Sequence, residues 1–350
     1  MTELKQLTGA RGIAAWAVVL YHLRLSIAGL PQPIVDLLAK GYMAVDFFFL
    51  LSGFVIWLAW HDRAGGEPFR FWQKRVARIW PLHAAMLAFA VALALASTIR
   101  GSSDPAFPWT ELPLHLLLVQ EWGTTTGLHW NDPAWSISAE LAAYLLFPLL
   151  VRSVDWRRWS KPMLVLAAAA MLLVLPLVMG SGSLGRDIVR FGVLRCLCEF
   201  GAGTVLAALY RRGGRALLPF AFGTTCLACW FAGGSETLVV PPALAGLLLA
   251  LARSRARLLA SRPIHWLGSI SYATYLSHFL WWKACKLLLA PGPQPAVVIV
   301  AYLLTVLVAS HLLYRRWELP AQRRINGVRL RNERTPRALP PHGSQDRIFG

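Results

Sequence analysis

Ten apolar segments of membrane-spanning length follow one another along this chain, separated by short polar loops. A helix needs roughly 20 mostly apolar residues to cross the hydrocarbon core of a bilayer. Of the 350 residues, 56% are hydrophobic and 15% are charged, which excludes an ordinary soluble domain. We therefore predict an all-α, polytopic integral membrane bundle with about ten transmembrane helices. The predicted spans are 10–30, 41–60, 80–99, 134–152, 162–180, 189–210, 216–232, 237–252, 266–289 and 294–314.

The formal net charge of +18 is concentrated in alternate loops and at the C-terminal end. Cytoplasmic loops carry the excess of Lys and Arg in membrane proteins. With the N-terminus inside, the outer loops carry only Lys40, Arg100 and Arg186. This asymmetry predicts an N-in/C-in topology, contacts with membrane lipids, and no nucleic-acid partner. We divide the chain into a transmembrane domain, 1–318, and a basic Pro/Arg-rich cytoplasmic tail, 319–350, predicted to be disordered.

Four ionisable residues lie deep inside apolar segments: His22, Asp46, Glu140 and His278. A charge at the bilayer centre costs about 2.5–3.5 kcal/mol on insertion scales, so such residues usually face a protein-lined cavity. With chain direction included, all four fall between the midplane and the outer face, which predicts one shared cavity. Two functions fit, namely intramembrane catalysis and proton-coupled transport or export of a carbohydrate precursor. The absence of an obvious internal repeat argues against the transporter.

His22 has two interpretations, a general base and a packing histidine that bonds a neighbouring helix. A neutral imidazole with a reference pKa near 6.5 suits proton transfer at neutral pH. Arg11, eleven residues earlier, shares its helix face roughly 16 Å away along the axis. Asp46 needs a proton or a His or Arg partner, because a bare carboxylate there would be costly.

Arg75 and Arg78 stand three residues apart before the third span. They share a side of a helix start, where free N–H groups already favour anions, and guanidinium groups suit phosphate oxygens. Alternatively, the two arginines only mark the cytoplasmic side of the membrane and contact lipid headgroups. Arg195 and Glu199, at i and i+4 in the sixth span, are expected to neutralise each other.

Two further features have simpler interpretations. The longest outer loop, 100–133, either caps a cavity or only connects two spans. Cys226 and Cys229 have CxxC spacing but sit in an apolar segment without nearby His or Cys. We interpret them as small buried residues and predict no metal site.

Five motifs in this order resemble the type-3 membrane acyltransferases, which O-acylate bacterial surface and secreted carbohydrates. They are Arg-x10-His (Arg11, His22), the Val-Asp-Phe-Phe-Phe-Leu-Leu-Ser-Gly-Phe block around Asp46, Arg-x-x-Arg (Arg75, Arg78), Trp-Ser-x-Ser-x-Glu ending at Glu140, and Ser-Tyr-x-x-Tyr-Leu-x-His ending at His278. The chain departs from the family at Ala142-Ala143-Tyr144, where a Phe commonly precedes the Tyr.

The resemblance implies a multi-pass enzyme of the bacterial inner membrane, an O-acetyltransferase that uses cytoplasmic acetyl-CoA as co-substrate and a carbohydrate as acceptor. No permanently bound cofactor is implied. We expect His22 to act as general base or transient acyl carrier, with Asp46 or Glu140 orienting the imidazole. The expected CoA-binding residues are Arg11, Arg75 and Arg78, and the expected acceptor-binding residues are Trp135, Ser136 and His278.

Overall fold

The computed structural model describes residues 4–101, 104–180 and 182–327. These residues form a helical bundle without a β-strand. The helices are α1 (Lys5–Leu23), α2 (Gln32–Leu38), α3 (Ala44–Trp60), α4 (Pro68–Ile99), α5 (Leu112–Leu117), α6 (Ala134–Ser153), α7 (Lys161–Met179), α8 (Ile188–Arg211), α9 (Leu217–Phe231), α10 (Glu236–Arg253), α11 (Arg262–Lys286), α12 (Ala296–Leu313) and α13 (Leu319–Gly327).

Each of the ten predicted spans overlaps one of these helices, but not all of the helices are equally apolar. Within the described ranges, seven helical segments are long and apolar enough to cross a membrane. They are Gln32–Trp60, Pro68–Ile99, Ala134–Ser153, Lys161–Met179, Ile188–Arg211, Glu236–Arg253 and Ala296–Gly327. Of the other three, α9 has 15 residues. Helices α1 and α11 contain the polar residues of two predicted motifs, which lowers their hydropathy. The chain is a multi-pass membrane protein.

Helices α1 and α11 pack with their backbones in contact, because glycines face each other at their crossing. A Cβ added to Gly268 would lie 1.8 Å from the carbonyl oxygen of Thr8, and one on Gly12 would lie 2.7 Å from the Gly268 nitrogen. Small residues permit such close approach where helices associate inside a bilayer. This contact fixes α1 against α11 and brings the Arg11 and His22 face of α1 onto the Ser271–His278 face of α11.

Helices α3 and α8 form a second close pair. A Cβ on Gly53 would lie 1.9 Å from the carbonyl oxygen of Phe200, and one on Gly203 would lie 2.1 Å from that of Leu50. The contact leaves no freedom to rotate one helix against the other. It therefore fixes which polar side chain of α8 faces Asp46 on α3.

The loop between α4 and α6 folds onto the bundle as a cap. Trp130 is fully buried, and its Nε1 donates to the carbonyl of Pro108 at 3.1 Å. Asn131 Nδ2 donates to the Leu276 carbonyl of α11 at 2.9 Å, and Ser138 Oγ of α6 donates to the Leu118 carbonyl at 2.8 Å. This loop is packed structure covering the ends of α6 and α11.

The C-terminal segment returns to α4. A π-helical turn, Tyr314–Glu318, joins α12 to α13. Helix α13 covers the first nine residues of the tail predicted to be disordered, and it packs against α4. The expected disorder therefore does not hold for residues 319–327, and residues 328–350 lie outside the described residues.

Candidate functional site

A cavity of about 160 Å³ lies inside the bundle between α1, α3, α4, α6 and α11. Five of the predicted site residues line it. They are Arg11, Arg75, Arg78, Ser136 and Glu140. Three helices that are distant in sequence, α1, α4 and α6, thus bring together the predicted CoA-binding residues, one predicted carboxylate and one predicted acceptor contact.

Three arginines line this cavity. Arg11 reaches α11, where its Nη2 donates to Ser271 Oγ at 3.1 Å. The Arg75 guanidinium carbon lies 5.9 Å from the Tyr144 ring centre, and its buried Nε has no hydrogen-bond partner among the described residues. Arg78 sits over the Tyr272 ring at 5.1 Å. Guanidinium groups crowded beside one cavity repel each other, so the arrangement favours an anionic ligand.

Hydroxyl groups and one carboxylate line the cavity together with these arginines. The Tyr144 hydroxyl donates to Glu140 Oε1 at 2.5 Å and lies 3.3 Å from Ser52 Oγ. Ser136 Oγ and the Tyr275 hydroxyl are 2.7 Å apart. Such groups can donate to a carbonyl oxygen or accept from a substrate hydroxyl. In the described part of the chain, no cluster of three or more His, Cys, Asp or Glu could hold a metal ion.

His22 and His278 pair beside this cavity rather than in its wall. Their ring centres are 5.2 Å apart, and the His278 ring is 6.3 Å from Tyr275, which lines the cavity. His278 Nδ1 lies 3.1 Å from the Thr274 carbonyl. A carbonyl oxygen only accepts, so this nitrogen carries the proton and Nε2 presents a bare lone pair. His278 is 1% exposed, and its Nε2 has no partner within the described ranges.

Asp46 is held elsewhere, in an ion pair with Arg195. Arg195 Nε and Nη2 donate to the two carboxylate oxygens of Asp46 at 2.5 Å each, and both side chains are at most 2% exposed. Arg195 Nη1 also donates to the Leu184 carbonyl at 2.8 Å. A carboxylate with both oxygens bonded to one guanidinium is a poor partner for a distant imidazole.

These positions correct two sequence-based expectations. His22, Asp46, Glu140 and His278 do not line one chamber, since only Glu140 is in the wall of the described cavity. Arg195 donates its side-chain hydrogen bonds to Asp46 and not to its i+4 neighbour Glu199. The physical reason is the close contact of α3 with α8, which brings Asp46 opposite Arg195.

Trp135 and Ser136 are adjacent in sequence but point to different surroundings. Ser136 lines the cavity, whereas the buried Trp135 ring lies 5.5 Å from the Arg195 guanidinium carbon and 5.8 Å from the Phe49 ring. Trp135 therefore packs against the Asp46–Arg195 pair. Successive residues of a helix point about 100° apart, so a motif written as one block need not form one surface.

Several cavity residues were not singled out from the sequence. Tyr144, Ser271, Tyr272 and Tyr275 all line the cavity, and each lies inside or next to a recognised motif. The feature of the sequence that indicates these cavity residues is a hydroxyl-bearing side chain within an apolar segment. The sequence indicates Glu318 only as the last residue of the predicted transmembrane domain, yet it forms an ion pair with Arg78.

The cap over the ends of α6 and α11 contains two acidic residues, the buried Glu121 and the half-buried Asp132. Burial, together with the neighbouring Asp132 and Glu111 carboxylates, raises the pKa of Glu121 from 4.5 to about 7. Burial likewise raises the pKa of Asp132 to about 6, with Lys283 opposing the shift. Near neutral pH the cap therefore holds carboxyl groups that gain or lose protons.

The fold and this site define a multi-pass membrane protein with an arginine-lined internal cavity and a histidine pair beside it. A family profile described as an acyltransferase domain matches residues 4–315. The chain is 32% identical over 319 residues to the acyltransferase MdmB of Streptomyces mycarofaciens, covering 80% of this chain and 79% of that protein. The chain belongs to this acyltransferase family, and the resemblance found in its motifs is confirmed.

Other relatives are similar at lower identity. The peptidoglycan O-acetyltransferase OatA of Listeria monocytogenes is 23% identical over 312 residues, covering 77% of this chain but 48% of that protein. The exopolysaccharide production protein ExoZ of Rhizobium meliloti is 26% identical over 307 residues, covering 81% of this chain and 90% of that protein. The predicted O-acyltransferase class is confirmed, in preference to the transporter. No solved structure matches the chain.

Proposed function

We propose that this enzyme moves an acetyl group from cytoplasmic acetyl-CoA to a hydroxyl of a surface or secreted carbohydrate, in a bacterial inner membrane. The observation that carries the proposal is the cavity itself, which is lined by three arginines together with hydroxyl groups and one carboxylate. The names of two relatives, a peptidoglycan O-acetyltransferase and an exopolysaccharide production protein, support a carbohydrate acceptor.

The topology we propose has ten membrane helices with both described ends of the chain in the cytoplasm. Helices α1, α9 and α11 complete the seven segments that qualify by length and hydropathy. The 15 residues of α9 extend about 22 Å, and the bilayer can thin locally around so short a helix. In this orientation the N-terminal turns of α4, with Arg75 and Arg78, lie at the cytoplasmic end.

Arg75 and Arg78, with Arg11, would hold the CoA phosphates at that end. Arginine binds phosphate oxygens with paired N–H donors, and the open Nε of Arg75 is one buried donor without a partner in the described residues. A cavity of about 150 Å³ holds one benzene-sized molecule. The 160 Å³ cavity is therefore large enough for an acetyl thioester.

His22 would take the proton from the acceptor hydroxyl as that oxygen attacks the thioester carbonyl carbon. The C–S bond then breaks, and His22 returns the proton to the leaving thiolate, giving an ester and free CoA. In the covalent variant, the bare nitrogen of His22 attacks the carbonyl carbon, the C–S bond breaks, and the thiolate takes the imidazole proton and leaves as the thiol. The acceptor hydroxyl then attacks the acyl-imidazole, the C–N bond breaks, and the hydroxyl proton passes to the imidazole. The covalent route therefore has one additional bond, from carbon to the imidazole nitrogen, which forms and is then broken.

The His278 ring lies next to the His22 ring. Its bare Nε2 can accept a hydrogen bond from one N–H of His22, which would leave the other nitrogen of His22 free to act as base. Of the two carboxylates predicted to orient the imidazole, Asp46 is engaged by Arg195 and Glu140 lines the cavity. We therefore assign the charge-stabilising role to Glu140, and the acceptor contact to Ser136.

A radiolabel assay tests this proposal directly. Purified protein incubated with [14C]acetyl-CoA and a candidate glycan should transfer label to the glycan, and His22→Ala should abolish transfer. His311→Ala serves as a matched control, because His311 lies on the outside of α12 and bonds only Trp266 among the described residues. Substantial activity in a correctly inserted His22→Ala protein would remove His22 from the mechanism.

A further inference from the structure

Glu318 places a buried carboxylate directly against the cavity arginine Arg78. Arg78 Nη1 donates to Glu318 Oε1 in an ion pair in which the Glu318 side chain is 1% exposed and that of Arg78 is 27% exposed. Glu318 Oε2 is buried without a hydrogen-bond partner among the described residues. Glu318 also lies beyond residue 315, where the match to the family profile ends.

The segment that carries Glu318 is attached to α4 on both sides of Arg78. Trp317 Nε1 donates to the Pro81 carbonyl at 2.9 Å, and Gln73 Nε2 donates to the Ile325 carbonyl at 2.8 Å. Glu318 ends a π-helical turn, a widened turn that is frequent at functional sites. The carboxylate is therefore held against α4 by contacts that do not depend on Arg78 itself.

We propose that Glu318 is a positioning residue that holds the Arg78 guanidinium against the cavity, ready for a phosphate group of CoA. Arg11 and Arg75 line the same cavity and repel Arg78. Without a fixed anion, this long side chain would occupy many rotamers that binding would then have to restrict. Glu318 accepts from Nη1, and because a guanidinium carries five N–H donors this ion pair does not use them all. The inference rests on the proposed function, because it assumes that the cavity binds CoA.

A double-mutant cycle on the full-length protein separates positioning from structural support. CoA binding is measured by titration calorimetry for Glu318→Ala, Arg78→Ala and the double variant. Glu318→Ala should raise the Kd for CoA roughly tenfold, because Arg78 loses its fixed orientation. The double variant should bind CoA no more weakly than Arg78→Ala alone, since Glu318 acts only through Arg78. In acetyl transfer, KM for acetyl-CoA should rise while kcat at saturation stays near wild type.

Trp317→Phe is the matched control, because it loosens the same segment without touching the ion pair. Its Kd for CoA should stay near the wild-type value. If Glu318→Ala does not fold, Glu318→Gln takes its place and should give a smaller increase in the same cycle. A Glu318 variant that binds CoA as tightly as wild type, or a double variant weaker than Arg78→Ala, would overturn the positioning role. Wild-type CoA affinity in Arg78→Ala would instead overturn the proposed CoA site itself.

Discussion

Replacing Asp46 by Asn decides whether this residue belongs to the reaction or to the fold. The Asp46–Arg195 pair is buried, with two N–H···O bonds of 2.5 Å. Removing one partner of such a pair leaves the other charge uncompensated and typically costs about 3–5 kcal/mol. We expect Asp46→Asn to lose much of its heat stability in detergent, while the protein that stays folded keeps its kcat and its KM for acetyl-CoA.

The measurement combines size-exclusion detection of heat-resistant protein with the acetyl-transfer assay on the same sample. Replacing Asp46 and Arg195 together by Leu removes both charges, and the double variant should be more stable than either single variant. Glu140→Gln offers a contrast, because Glu140 lines the cavity and should lower kcat at near-normal stability. The reasoning fails if Asp46→Asn retains wild-type heat stability but loses turnover.

Two further predictions concern the cavity arginines and the cap. Changing Arg75 and Arg78 together to Ala should weaken CoA binding much more than acceptor binding. Unchanged CoA affinity in calorimetry would mean that both residues only set the orientation of the protein in the membrane. At the cap, the raised pKa of Glu121 keeps it protonated in the folded state up to about pH 7, whereas its unfolded form ionises above about 4.5. Stability should therefore fall as pH rises from about 4.5 to 7. Glu121→Gln should be more stable than wild type at pH 8 and equal to it at pH 4.5, and an equal difference at both values in thermal scans would contradict the assignment.

The sequence was sufficient to locate the helices and the polar face of α1. Apolar length alone indicated every helix that builds the cavity, and the eleven-residue spacing of Arg11 and His22 predicted their common face. Both do face α11, where Arg11 bonds Ser271 and the His22 ring lies beside His278. Periodicity along one helix needs no knowledge of the partner helix, which is why this part could be predicted.

The pairings between helices could not be predicted in the same way. Asp46 and Arg195 are 149 positions apart, and their contact depends on how α3 is rotated against α8. That rotation is set by glycine contacts, which a single sequence does not distinguish from other small residues in apolar segments. Glu318 was equally hidden, because a charged residue at the end of a span usually marks only the membrane surface.

Helix α11 connects the arginines of the site to its histidine pair. Ser271, Tyr275 and His278 stand at i, i+4 and i+7, so they lie on one face of the helix. Ser271 contacts Arg11, Tyr275 contacts Ser136, and His278 contacts His22. The rise from Ser271 to His278 is about 10 Å, so the arginines and the histidine pair stand at opposite ends of a short path. In the proposed function, a thioester at the end of a flexible arm would reach along such a path while the phosphates of CoA stay bound among the arginines.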